Sequence, residues 1–166
     1  MQKAEFWMSF GSPSEATTAH NWDALNKLQL GRYAEYLAKM EFTRYGFAVY
    51  TAEVDDKGID FVIRKGAVTY YDVQVKSSRG SSYIFFPKEK FELRANNLAV
   101  VVVFEKPGNP HIFVIAALAW QWPNQLLVSR DYGAPLKSKP EWGINLSTKN
   151  WPILERFAFE SQAKNL

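Results

Sequence analysis

The sequence contains no cysteine, which excludes disulfide frameworks and thiolate metal sites outright. Histidine is nearly as scarce. His20 and His111 stand far apart and give no zinc spacing, so any bound metal would take oxygen ligands. No apolar run approaches the roughly 18 residues that a membrane-spanning helix needs. The N-terminal Met1-Gln2-Lys3-Ala4-Glu5-Phe6-Trp7 has neither the apolar stretch nor the cleavage site of a signal peptide. These absences lead to the expectation of a soluble, cytoplasmic protein. Repeats, low-complexity tracts and an inter-domain linker are missing too. The 166 residues are therefore expected to form a single domain able to bury a sizeable core.

Charge of one sign is also in short supply. A net charge of +3 permits a polyanionic partner without demanding one, because the arrangement of charge matters more than its sum. Apolar and aromatic residues are plentiful. The six tryptophans are spread from Trp7 to Trp151, which suits core and interface packing better than base stacking.

Ser9 to Asn21 is rich in Ser, Thr, Gly and Pro and reads as a lead-in loop. From about Asn21 to Tyr45, Leu30, Tyr33, Ala34 and Leu37 recur at helical spacing, and Gly46 ends the pattern as a C-terminal cap. Residues 47–52 read as a strand, and Asp55-Asp56-Lys57-Gly58 as a turn. Two alternating runs follow, Gly58–Arg64 and Val68–Lys76, joined through Lys65-Gly66-Ala67 as a hairpin. Ser77–Ser82 reads as a polar loop and Tyr83–Phe86 as a short extended piece. Pro87 suits the first turn of a helix carrying Lys88, Lys90, Phe91, Leu93 and Arg94. Leu98–Phe104 is the near-continuous apolar run of a strand buried on both faces, and His111–Ile115 returns beside it. Beyond residue 116 the pattern predicts a short helix before Pro123, a strand over 142–146 and a closing helix over 151–159. The order is helix, three strands, helix, two strands: a mixed central sheet flanked by helices, an α/β fold.

The chemistry concentrates in Gly58-Ile59-Asp60 and Gln74-Val75-Lys76. Alternation puts Asp72, Gln74 and Lys76 on one face of their strand. If the two runs pair, a carboxylate, an amide oxygen and an ammonium converge. Such a set suits a divalent cation and a phosphodiester: Asp60 and Gln74 hold the metal, while Lys76 orients or deprotonates water and offsets charge on the phosphorane. Gly58 allows close approach of another backbone. Glu35 lies in line with Gly31, Ala38 and Phe42 on the preceding helix, where small residues would bring it near the strand ends; Glu41 is the rival acid. Gln74 contributes no charge, and Asp72 on the same face is a candidate to compensate.

Gly31-Arg32-Tyr33-Ala34-Glu35, Gly46-Phe47, Gly58-Ile59-Asp60 and Gln74-Val75-Lys76 together resemble the PD-(D/E)XK nuclease superfamily. Archaeal Holliday-junction resolvases and Mrr-like restriction endonucleases belong to it. A small prokaryotic group of domains shares the Gly-Ile-Asp and Gln-x-Lys signature. The resemblance covers roughly residues 28–115. It implies a restriction-endonuclease-like αβββαβ core, over about 22–115, with a C-terminal extension over about 116–166. It also implies a Mg2+- or Mn2+-dependent endonuclease acting on DNA as a homodimer. Asp60, Gln74 and Glu35 become the metal-site residues and Lys76 the catalytic lysine. Gln74 stands where glutamate or aspartate is commoner, although the Mrr-like branch shows the same glutamine. Arg79 in the following loop, with Lys88, Lys90 and Arg94, would contact phosphate backbone, and such contacts carry affinity without sequence information. Two other readings remain open: a catalytically silent nucleic-acid-binding domain of the same fold, which Gln74 favours, and a protein-interaction module using the aromatic C-terminal third.

Overall fold

The computed structural model describes residues 21–51, 57–106, 108–133 and 137–166. The expected lead-in loop falls almost wholly outside them, as do Asp55 and Asp56 of the turn before Gly58.

Helix α1 spans Lys27–Arg44. It begins later than the periodicity suggests because Asn26 and Gln29 form a reciprocal capping box, each side chain accepting the other's backbone N–H. A short 3-10 turn, Trp22–Ala24, precedes it. Leu30, Ala34, Ala38 and Phe42 recur every four residues and form its buried stripe, and the two alanines let the helix lie close to the sheet. Gly46, at φ +84°, turns the chain out of the helix.

Five strands make the main sheet in the order β1-β2-β3-β5-β6. They are β1 (Ala48–Thr51), β2 (Phe61–Lys65), β3 (Thr69–Arg79), β5 (Asn97–Phe104) and β6 (His111–Ala116). Only β3 and β5 run parallel; the other pairs are antiparallel. A second sheet, β4-β8-β7, is built from β4 (Ser82–Pro87), β8 (Glu141–Leu146) and β7 (Leu127–Arg130). A 3-10 turn over Ala117–Gln121 and helices α2 (Trp151–Leu154) and α3 (Phe159–Ala163) complete the described elements.

The apolar alternation of β5 sorts the core into two layers. Leu98, Val100, Val102 and Phe104 pack with Val73, Val75, Phe61 and the α1 stripe. Ala99, Val101 and Val103 pack with Ile84, Phe86 and Ile144 of the second sheet. All eight residues of β5 are buried, as its unbroken apolar run predicts.

Several elements depart from their sequence-based reading. Ser77–Ser82 is not a loop throughout, because β3 runs on beside β5 to Arg79 and β4 begins at Ser82. No helix follows Pro87: β4 runs through that proline, and residues 88–96 are turns and irregular chain. Pro87 sits at a strand end rather than a helix start, the Lys90 and Phe91 amides both bond its carbonyl, and Phe91 drops into the second core layer. The closing helix is likewise broken, into α2, a 3-10 turn over Glu155–Phe157, and α3.

Candidate functional site

The β2–β3 ladder ends at Phe61 opposite Val73, while β3 continues to Arg79 beside β5. The two strands therefore part immediately after Val73, and the Gly58-Ile59-Asp60 segment lies at the fork. Asp60 is not a ladder residue. Its amide donates to the Val73 carbonyl at 2.9 Å, and its Oδ2 accepts the Val75 N–H at 2.6 Å. The carboxylate thus takes the place of a β2 carbonyl where the ladder stops, fixed against the backbone between Gln74 and Lys76. Charge-assisted bonds of this kind are short and strong.

Register places the other groups. Gln74 faces Ala99 across the parallel ladder and Lys76 faces Val101. Paired residues share a face of the sheet, so Asp72, Gln74 and Lys76 stand on the side of the second core layer. Gln74 is buried, at 8% exposure, and among the described residues its Oε1 has no hydrogen-bond donor. An orphaned acceptor of this kind costs about 1–3 kcal/mol. Gly58, at φ +74°, closes over the same amide: a Cβ there would lie 3.0 Å from Gln74 Nε2 and 3.4 Å from Lys90 Cβ. The close approach that glycine permits is thus to a side-chain amide, not to a second backbone. The Lys76 ammonium sits 5.8 Å from the centre of the Phe86 ring, and among the described residues no carboxylate pairs with it. Beside the fork opens a cleft of about 600 Å³, lined by Lys57, Gly58, Ile59, Glu89, Lys90, Glu92, Arg94 and Asn97.

Glu35 is placed differently. It lies on α1, which packs across the Val73–Val75 face, on the other side of the sheet from Gln74 and Lys76. Its carboxylate accepts from Arg32 at 2.7 Å. The rival, Glu41, pairs with Arg44 at 2.6 Å. Asp72 is engaged by Arg94 at 3.0 Å.

The four expected phosphate-contacting cations divide into two groups. Arg79 donates to the carbonyls of Trp22 and Leu25, at 2.9 and 2.5 Å, and so ties the end of β3 to the approach to α1. Lys88 bonds Ser129 and both oxygens of Asp131, over the Trp142 ring. Lys90 and Arg94 line the cleft beside Gly58. Lys57 lines it too, a cation that the sequence placed only in a turn. Its adjacency to Gly58 was the available signal.

Among the described residues, no group of three histidine, aspartate or glutamate side chains converges on a point. The described oxygen donors at the fork are one carboxylate and one amide. They fit Mg2+ or Mn2+ in kind, since both take oxygen ligands, and the orphaned Gln74 Oε1 is an acceptor that a cation would satisfy.

No family model matches the chain, and no curated protein matches it. Among solved structures it is similar to Hjc, a Holliday junction resolvase from the archaeal hyperthermophile Archaeoglobus fulgidus. The TM-score is 0.51 at 16% identity, over 81% of this chain and 95% of that one. A bacterial homing endonuclease superposes with a TM-score of 0.45 at 15% identity, over 85% of this chain and 99% of that one. The likeness to the resolvase establishes the fold, a restriction-endonuclease-like α/β core, here carrying a second, three-stranded sheet. Among the described residues no helix is long and apolar enough to cross a membrane.

Proposed function

We propose that this protein is a metal-dependent endonuclease that hydrolyses phosphodiester bonds in DNA. The observation that carries the reading is the fork itself. There, Asp60 is pinned to the Val75 amide between an orphaned Gln74 carbonyl and a Lys76 ammonium without a carboxylate partner among the described residues. The likeness to a Holliday junction resolvase supports a DNA substrate.

Asp60 and Gln74 would hold Mg2+ or Mn2+. Glu35 lies across the sheet from Gln74 and stays with Arg32, so it is left out of this donor set. Bound there, the ion supplies Lewis acidity at the phosphoryl oxygen and lowers the pKa of its water. The chain's own residues do the rest. The Val75 N–H holds the Asp60 carboxylate in one orientation, so no reorganisation is needed at reaction. Lys76, one strand step beyond Gln74 on the same face, donates to the attacking water or to the charge that develops on phosphorus. Lys90 and Arg94 in the cleft, with Arg79 and Lys88, make the backbone-contacting set; Arg79 and Lys88 would have to share donors now given to the fold. Leu28, Tyr36 and Met40 stand exposed on α1, which supports assembly as a homodimer, measurable by sedimentation.

Incubation with supercoiled plasmid, branched DNA and RNA, with Mg2+ or Mn2+, tests the reading beside Asp60→Ala and Lys76→Ala. Metal-dependent cutting of DNA that both substitutions abolish is expected. Cutting that survives in both removes the fork from the mechanism. A second reading, a silent binding domain, is favoured by the neutral Gln74 and by the lack of three converging acidic or imidazole groups among the described residues. Salt-sensitive binding without cutting would select it.

A further inference from the structure

Among the described residues, the main sheet has a face that neither core layer covers. Register sets out its rows: Ala48, Arg64 and Tyr70 face one another across β1, β2 and β3, and so do Tyr50, Val62 and Asp72. Asp60 and Gln74 come next, at the fork. These residues point away from α1, because Phe61, Ile63 and Val73 between them belong to the helix-side layer. The second layer takes Ala99, Val101 and Val103 from β5 but no buried residue of β1 or β2. Tyr50 and Tyr70 accordingly remain 48% and 45% exposed.

Arg64 is built into this face. Its guanidinium lies 5.3 Å from the centre of the Tyr70 ring, with Nε bonded to the Gly66 carbonyl at 2.8 Å and one terminal nitrogen to the Ala67 carbonyl at 2.9 Å. Those bonds fix its plane and leave further N–H donors of the five. Among the described residues no carboxylate pairs with it, and Asp72 on the same face is already engaged by Arg94. A guanidinium held against the Tyr70 ring, with no carboxylate on it among the described residues, is a fork for phosphate oxygens. Each two-residue step along a strand advances a face by about 6.8 Å, the axial rise of two nucleotides in one DNA strand. Arg64 stands two such steps from Asp60.

We infer that this open face of β1, β2 and β3 is the track on which the substrate's sugar–phosphate backbone lies, with Arg64 gripping a phosphate about four nucleotides from the one at the fork. The inference rests on the proposed nuclease function, and it assigns that site's approach path to Arg64, Tyr70 and Tyr50.

Hydroxyl-radical labelling of the wild-type chain, read by mass spectrometry with and without duplex or branched DNA in EDTA, tests it directly. Tyr50 and Tyr70 should be protected several-fold by DNA. Anisotropy titrations across a salt series should show Arg64→Ala binding more weakly, with the slope of log K against log salt reduced by about one. Arg64→Lys should restore the slope but not the full affinity. Unchanged tyrosine labelling at saturating DNA overturns the inference, as does an unchanged slope in a normally melting Arg64→Ala. Because Arg64 also holds the hairpin turn, the wild-type labelling decides if that variant does not fold. Protected tyrosines without cutting would sink the nuclease reading alone; cutting with unprotected tyrosines would sink this one alone. Protection that grows with protein concentration in the absence of DNA would mark a protein contact and overturn it.

Discussion

At the scale of single residues, Gln74 and Gly58 are the informative pair. A buried amide oxygen without a donor costs stability, so its retention at the fork is what a ligand-binding role would require. Gln74→Glu would bury a carboxylate beside Asp60 and should lower metal-free stability by on the order of 3 kcal/mol. Burial would raise the pKa of that new carboxyl above its unfolded value, so the penalty is full above the raised folded pKa, shrinks as pH falls through it and is gone below the unfolded pKa. Chemical denaturation should therefore show the gap to wild type narrowing between about pH 8 and about pH 5, and Mg2+ should close it at the higher pH. A gap indifferent to both pH and Mg2+ would show that the carboxylate has found solvent. Gly58→Ala combines a positive φ with a 3.0 Å approach to Gln74 Nε2, whereas Gly66 has a positive φ of +66° and open space. The first substitution should thus exceed the roughly 1–2 kcal/mol expected of the second. Equal losses in urea titrations would remove the close approach from the account. That Asp72, Gln74 and Lys76 share a face was legible from alternation, and the expected hairpin put Asp60 beside them. Lys57 and Arg64 were not, because their significance lies in neighbours that only register and turn geometry supply.

At the scale of elements, local signals succeeded where one neighbour decides the outcome. The β5 run, the β2–β3 hairpin at Gly66 and the α1 stripe each encode their environment in a few residues. The stretch after Pro87 misled because proline begins strand ends and helices alike, and its choice was made by β8, more than fifty residues away in sequence. That pairing also builds a polar cluster on the second sheet. Glu141 accepts from Tyr83 at 2.7 Å and Tyr132 at 2.9 Å, and Arg130 lies 4.1 Å from the centre of the Tyr83 ring. Burial, then the bond to Glu141 and its charge, push the Tyr83 phenol well above the usual tyrosine range. A raised folded pKa means that this contribution is complete below the unfolded value of about 10 and is lost as pH climbs beyond it. Phenolate absorbance should show one tyrosine titrating only with alkaline unfolding, and Glu141→Gln should bring it partway back. A wild-type protein whose tyrosines all ionise together near the ordinary value would contradict the cluster.

At the scale of the whole molecule, the last fifty residues are woven into both core layers rather than appended to them. Phe159 meets Phe42 and Tyr45 edge-on, with ring centres 4.8 and 5.4 Å apart, closing the α1 layer, while Leu127, Ile144 and Leu154 close the other. Phe159→Ala should cost about 3–5 kcal/mol, measured by denaturant titration, although the residue lies far in sequence from the fork. A loss below about 1 kcal/mol would make α3 dispensable. This closure was the least legible part of the chain, since its strands and helices are short and each depends on a partner elsewhere. The buried central strand β5 carries the last consequence. With both faces occupied and both edges paired to β3 and β6, none of its eight side chains has slack. Saturation mutagenesis should find there an unbroken trough of intolerance, and drift among descendants of this chain should be confined to the rims.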